Sequence, residues 1–156
     1  MIELEIPGFG TLQLKYLVMD YNGTLAVDGK LIDGVEARLF ELANHLKIHV
    51  ITADTFGLVK SQMEHFPITL KIIESTEQGR QKWEYIRQLG ASSTVAIGNG
   101  RNDRLMLKEA RLGIVTVQNE GAAVETLQSA KIVVYHINDA LDLLKNRLRL
   151  TATLRD

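Results

Sequence analysis

Cysteine is absent from the 156 residues, which excludes disulfides and thiolate metal sites. Proline occurs twice, and no proline-rich, low-complexity or linker-like tract interrupts the chain. No apolar stretch approaches the ~20 uninterrupted residues that crossing a bilayer requires. The start "MIELEIPGFG" lacks both the basic residues and the apolar core of a signal peptide. A cytoplasmic, non-membrane protein is the expectation that follows. Net charge is nearly missing too: 18 Lys and Arg against 19 Asp and Glu leave −1. No global field then draws in nucleic acid or an anionic membrane, and neither is expected as a partner.

What is present is an ordinary globular composition, 46% hydrophobic and 24% charged, in a length that suits one domain over residues 1–156. At the start, residues 1–14 alternate apolar and polar positions on both sides of Pro7-Gly8, which predicts a hairpin or two edge strands capping the sheet edge. "YLVMD" from Tyr16 to Asp20 is a short apolar run ending in an acid, the pattern of a strand buried on both faces. Val35, Leu39, Leu42, Ala43 and Leu46 recur at helical spacing, and "KIHVIT" follows as a second buried strand. The alternation continues: a helix near Phe56 to His65, strand "ITLKII", a helix from about Thr76 to Leu89 stopped by Gly90, and strand "TVAIG". A helix from near Asn102, strand "GIVTV", a helix near Ala122 to Gln128, strand "IVVY" and a last helix at about Asn138 to Leu148 complete it. The polar tail 149–156 is expected to fray. Helices alternating with strands predict an α/β fold, a three-layer α/β/α sandwich on a mainly parallel, Rossmann-like sheet. In such sheets ligands bind at the carboxyl ends of the strands.

Four places at or just beyond strand ends therefore carry the chemical interest: Asp20 in "DYNGTL", Thr52 in "ITADT", Lys82 early in a helix, and "GNGRND" from Gly98 to Asp103. Singly each has a plain structural reading. Asn22-Gly23 is also a turn signal, Thr52 a helix cap, Lys82 a solvated helix residue, and Asn102 a cap within a turn. "GNGRND" is not a dinucleotide fingerprint, because Asp103 stands where a third glycine belongs. The four histidines show no metal-ligand spacing of the HExxH kind.

In combination and in this order, the four places resemble the motifs of the haloacid-dehalogenase-like hydrolases, over nearly all the chain from Tyr16 to Tyr135. Asp20, Gly23, Thr24 and Leu25 match the first motif, whose second acid is replaced here by Asn22. Thr52 matches the second motif. Lys82 is the basic residue of the third, with Arg80 as competitor. Asn99 and Asp103 stand for the acidic pair of the fourth, only Asp103 being acidic. The departures are similar to those of P-type ATPases, so the chain looks like a soluble, free-standing relative of their phosphorylation domain; Thr52 and Asp54 fit that pattern.

The resemblance implies a Mg²⁺-dependent phosphatase working through an aspartyl-phosphate on Asp20. Asp20, the main-chain carbonyl of Asn22 and Asp103 would be the metal ligands. The Thr52 hydroxyl and amides near Gly23 and Ala53 would bind the transferring phosphoryl group, with Thr24 and Asn102 as further phosphate-binding residues, and Lys82 would hold Asp20. Asn22 offers hydrogen bonds but no proton equilibrium near pH 7, so slow turnover of alkyl phosphates is expected. A non-hydrolytic binding or regulatory member is the alternative. Neither usual insertion point has room for a cap domain. An uncapped site would take a phosphorylated small molecule or macromolecule, or be closed by a second copy of the chain, with "AVDGKLID" as a small flap.

Overall fold

Six of the apolar runs lie side by side. β3 (Tyr16–Asp20), β6 (Lys47–Thr52), β7 (Ile68–Ile72), β8 (Thr94–Gly98), β9 (Leu112–Thr116) and β10 (Ile132–Val134) form one parallel sheet in the order β10-β9-β8-β3-β6-β7. The computed structural model describes residues 1–54 and 57–156.

The period-two alternation of each strand sends side chains to opposite faces. Leu17, Met19, Ile48, Val50, Val95 and Ile97 pack into one buried cluster with Val35 and Leu39 of α1 (Val35–Leu42) and Ile137 and Leu141 of α6 (Ile137–Lys145). Val59 and Met63 of α2 (Leu58–Met63) join the same cluster. On the other face Val18, Ile51, Ala96 and Val115 meet Ile86 of α3 (Gln78–Leu89) and Met106 and Leu107 of α4 (Arg104–Glu109). The result is the expected three-layer α/β/α arrangement. Gly113 in β9 lets α4 come in against the sheet, since a Cβ there would overlap the Leu107 carbonyl.

Several boundaries differ from the sequence reading. The first strands, β1 (Ile2–Ile6) and β2 (Gly10–Leu14), form a two-stranded antiparallel hairpin of their own and cap no edge of the main sheet. The Lys15 N–H donates to the Ser93 carbonyl at 2.8 Å, so the hairpin lies by the amino ends of the central strands. Arg111 holds it there by donating to the Phe9 and Thr11 carbonyls. The last predicted helix is two helices, α6 and α7 (Arg147–Leu154), broken at Asn146, whose side chain accepts from the Arg149 N–H at 3.3 Å. The tail expected to fray is α7 itself. Its Leu150 is fully buried, and the Asp156 N–H donates to the Pro7 carbonyl at 3.1 Å, because the hairpin supplies an apolar face for it.

The helix expected from Phe56 starts, among the described residues, at Leu58, and Phe56 itself lies outside them. α3 starts at Gln78 rather than Thr76, after Glu77 in the left-handed region with φ 49°. α5 (Val124–Ser129) falls where expected. "AVDGKLID" contains a short antiparallel pair, β4 (Ala26–Val27) with β5 (Lys30–Leu31). No described helix is long and apolar enough to cross a membrane.

Candidate active site

The sheet register brings the motif residues to one level. Asp20, the last residue of β3, is paired with Ile51, so Thr52 lies one step beyond it on the neighbouring strand. On the other side Met19 pairs with Ile97, which sets Gly98 and Asn99 beside Asp20. Parallel strands starting in step therefore end in step, and their carboxyl ends share one mouth.

Into this mouth α3 sends Lys82. Its ammonium, 1% exposed, donates to Asp20 Oδ1 at 2.8 Å and to Asp103 Oδ1 at 2.7 Å. One buried cation between two buried carboxylates leaves the trio with a single net negative charge. Burial acts most strongly on Asp20, the charge of Asp103 adds to it, and Lys82 opposes both; the net effect pushes the Asp20 carboxyl up to about 7. For Lys82, burial pulls the ammonium down but Asp20 and Asp103 together outweigh it, and the net direction is up. Arg80, the competing base, is exposed and donates to Glu84 at 2.9 Å.

Asp103, the expected metal ligand, accepts hydrogen bonds at both oxygens: Oδ1 from Lys82, Oδ2 from the N–H groups of Asn99 at 3.0 Å and Gly100 at 2.9 Å. It closes its own turn and anchors Lys82. Thr24 and Asn102 also face elsewhere than expected. Thr24 is buried and donates to Asn99 Oδ1 at 3.2 Å, and the Asn102 side chain donates to Gln78 Oε1 at 2.7 Å. The Gly23 N–H is committed to the Ala26 carbonyl at 2.8 Å, so this amide is not open to a phosphoryl oxygen. Ala53 is half-buried just after β6, and Asn22 is exposed at the rim. Asn99 sits behind the first turn, and its side chain also donates to the Gly121 carbonyl at 3.0 Å. The sequence reading missed Gln62, which accepts from the Tyr21 hydroxyl and donates to the Gly29 carbonyl at 2.9 Å, tying the β4–β5 turn to α2. A lone glutamine carries no spacing signal that could have marked it.

Among the described residues no three His, Cys, Asp or Glu side chains gather as a metal cage. The donors that remain are all hard oxygens: the Asp20 carboxylate, with only one oxygen taken by Lys82, and the Asn22 carbonyl, which accepts no hydrogen bond among the described residues. Such a set fits Mg²⁺, which keeps several waters and is commonly shared between one or two carboxylates and a phosphate.

The fold defines the class: the chain has a haloacid-dehalogenase-like fold, and phosphatases are among its structural neighbours. The cobalt-bound deoxy-D-mannose-octulosonate 8-phosphate phosphatase of Haemophilus influenzae superposes with TM-score 0.71 over 90% of each chain at 12% identity. The 3-deoxy-D-manno-octulosonate 8-phosphate phosphatase of Moraxella catarrhalis, in complex with magnesium, phosphate and the sugar acid, gives TM-score 0.66 over 92% of this chain and 94% of that one at 18% identity. In sequence, the chain is similar to a soluble P-type ATPase-like phosphatase of Methanocaldococcus jannaschii, 27% identical over 125 residues. That match covers 78% of this chain and 46% of the phosphatase, under half its length. An uncharacterised protein of the same organism is 60% identical over 62 residues, 40% of this chain and 67% of that protein. No protein-family model matches the chain.

Proposed function

We propose that this chain is a divalent-cation-dependent phosphatase with Asp20 as nucleophile. The observation that carries the reading is the Lys82 ammonium held between Asp20 and Asp103 at the carboxyl ends of the strands. An ion pair built only for stability has little reason to be buried here, since apolar residues of similar volume usually serve as well or better.

A Mg²⁺ ion held by Asp20 and the Asn22 carbonyl would supply the positive charge that lets a carboxylate approach a phosphate dianion. Lys82 fixes the Asp20 carboxylate by one oxygen and opposes the pull of burial on its charge. An Asp20 oxygen attacks phosphorus, the bond to the leaving oxygen breaks with its electron pair, and an aspartyl-phosphate forms. Thr52, at the end of the adjoining strand, would donate to the transferring group. Water then attacks phosphorus, releasing phosphate and restoring the carboxylate. With Asn22 at the rim, no carboxylate stands two residues beyond the nucleophile to protonate the leaving oxygen or activate that water. Substrates with good leaving groups, acyl or aryl phosphates, should therefore turn over best. The segments after Asp20 and Thr52 hold only the β4–β5 pair and α2 in their described parts, leaving the mouth open to a bulky phosphorylated substrate.

The commitment of Asp103 to Lys82 and two amides, together with Asn22, favours one second reading: a site that takes up phosphate or becomes phosphorylated without efficient hydrolysis. One experiment separates the two. The protein is incubated with Mg²⁺ and p-nitrophenyl phosphate or acetyl phosphate, with release of phosphate and formation of an acid-stable, hydroxylamine-labile phosphoprotein both followed. Turnover lost in Asp20→Asn supports the phosphatase. Phosphoprotein without turnover supports the second reading, and activity retained in Asp20→Asn would overturn both.

A further inference from the structure

One side-chain amide joins two loops behind the nucleophile. Gln118, just past β9, donates through Nε2 to the carbonyls of Gly23 at 3.1 Å and Thr24 at 3.0 Å, while its Oε1 accepts from the Ile137 N–H at 2.7 Å. The turn it grips is otherwise closed on itself. The Tyr21 carbonyl takes the N–H groups of Thr24, Leu25 and Ala26, and the Gly23 N–H goes to the Ala26 carbonyl. The carbonyls of Gly23 and Thr24 point outward from that ring of bonds, and partly buried carbonyls need partners. A carboxamide is the neutral side chain that offers two N–H donors and an acceptor on one rigid plane, which is what these three backbone groups require.

The same loop makes a second grip on the site. Asn99 takes the Thr24 hydroxyl with its side-chain oxygen, gives its side-chain N–H to the Gly121 carbonyl, and accepts from the Ala123 N–H with its main-chain carbonyl. Residues 118–123 thus hold the turn after Asp20 directly and through Asn99.

We infer that Gln118 is a positioning residue for phosphoryl transfer, setting the turn that carries Asn22 and follows the nucleophile, while tying that turn to the start of α6. The inference rests on the phosphatase reading for its catalytic meaning. Its donor half serves the turn and its acceptor half serves α6, so the two halves can be removed separately. Gln118→Glu keeps the acceptor for Ile137 and turns an anion toward two carbonyls. Gln118→Lys keeps donors for Gly23 and Thr24 and drops the acceptor.

The test uses the full chain with Mg²⁺ and p-nitrophenyl phosphate, and records kcat, KM and the urea midpoint of each variant. Because small displacements of reacting groups cost up to about 100-fold, Gln118→Glu is expected to lower kcat about 10- to 100-fold with KM within about threefold. Gln118→Lys is expected to recover most of that loss although α6 has lost its bond. Should the Glu variant not fold, Gln118→Met, which keeps the shape without either polar function, replaces it. A kcat within about twofold of the parent in the Glu variant, or a Lys variant no better than it, overturns the inference, since a purely structural role would follow the urea midpoint instead. If the unaltered chain shows no Mg²⁺-dependent hydrolysis, the phosphatase reading fails by itself. Hydrogen exchange of the Thr24, Leu25 and Ala26 amides then decides on Gln118: faster exchange in the Glu than in the Lys variant supports the positioning, and equal rates overturn it.

Discussion

Gly23 and Asn99 share a boundary with no room to spare: a Cβ built on Gly23 would stand 2.5 Å from Asn99 Nδ2 and 2.8 Å from its Oδ1. Gly23 also has φ +79°, in the left-handed region that side chains avoid. Gly23→Ala should therefore cost about 2–4 kcal/mol, part from the backbone and part from displacing Asn99. Urea unfolding measures it. Because Asn99 would have to shift, activity should fall even where the variant is fully folded; an unchanged midpoint would mean that the turn adapts freely.

Asn22→Asp is the gain-of-function test. The position is exposed, so a carboxylate there needs no repacking. General acid-base catalysis is typically worth about 10²–10⁴-fold, and hydrolysis of alkyl phosphates should rise toward the lower end of that range. p-Nitrophenyl phosphate should gain much less, because its leaving group needs little protonation. Steady-state rates on the two substrates at saturating Mg²⁺ give the contrast, and equal gains on both would point away from leaving-group protonation.

Asp20 predicts a pH dependence of stability in protein freed of divalent cations. Burial first, then Asp103, raises its folded pKa to about 7 from 3.8. Between those values the folded protein binds a proton that the unfolded chain has released, so stability contributed by this group is complete below 3.8 and is lost as pH rises through about 7. Asp20→Asn removes the titration. Its urea midpoint should fall less than that of the unaltered protein between pH 5 and pH 8; parallel curves would show that Asp20 stays ionised throughout.

Lys82→Met removes the cation and leaves two buried carboxylates facing each other, where truncating one partner of a buried pair typically costs about 3–5 kcal/mol. Turnover should drop to background. Arg80→Ala, on an exposed side chain paired among the described residues only with Glu77 and Glu84, should change the unfolding free energy by less than about 0.5 kcal/mol and leave kcat intact. Circular dichroism with urea, alongside the phosphatase assay, covers both variants; a damaged Arg80→Ala would reassign the third-motif base.

Strand and helix positions were legible because each apolar run fits one period. Val18 and Ile51 face one side of the sheet while Leu17, Met19 and Val50 face the other, and such runs fit only strands covered on both faces. The order Asp20, Thr52, Lys82, Asp103 was legible as well, since parallel strands ending together convert sequence order into one mouth. Two positions apart on a helix lie on opposite sides, so either Arg80 or Lys82 faces the sheet, and local sequence cannot say which. The packing of Ile86 and the pull of two carboxylates turned Lys82 inward.

The chain by itself determined the period of its elements, the absence of any cysteine chemistry and the placing of acids and glycines after strands, because these depend on neighbours in sequence. Tertiary structure alone decided what depends on partners far along the chain. It gave α7 the hairpin face that turns a polar tail into a helix, and committed Asp103 to Lys82 and its own turn. It also brought Gln118 to Gly23 and Thr24 across 95 and 94 positions. Hydrogen bonds and apolar contacts of that range form only once the sheet has set both loops at one end, and no local pattern encodes them.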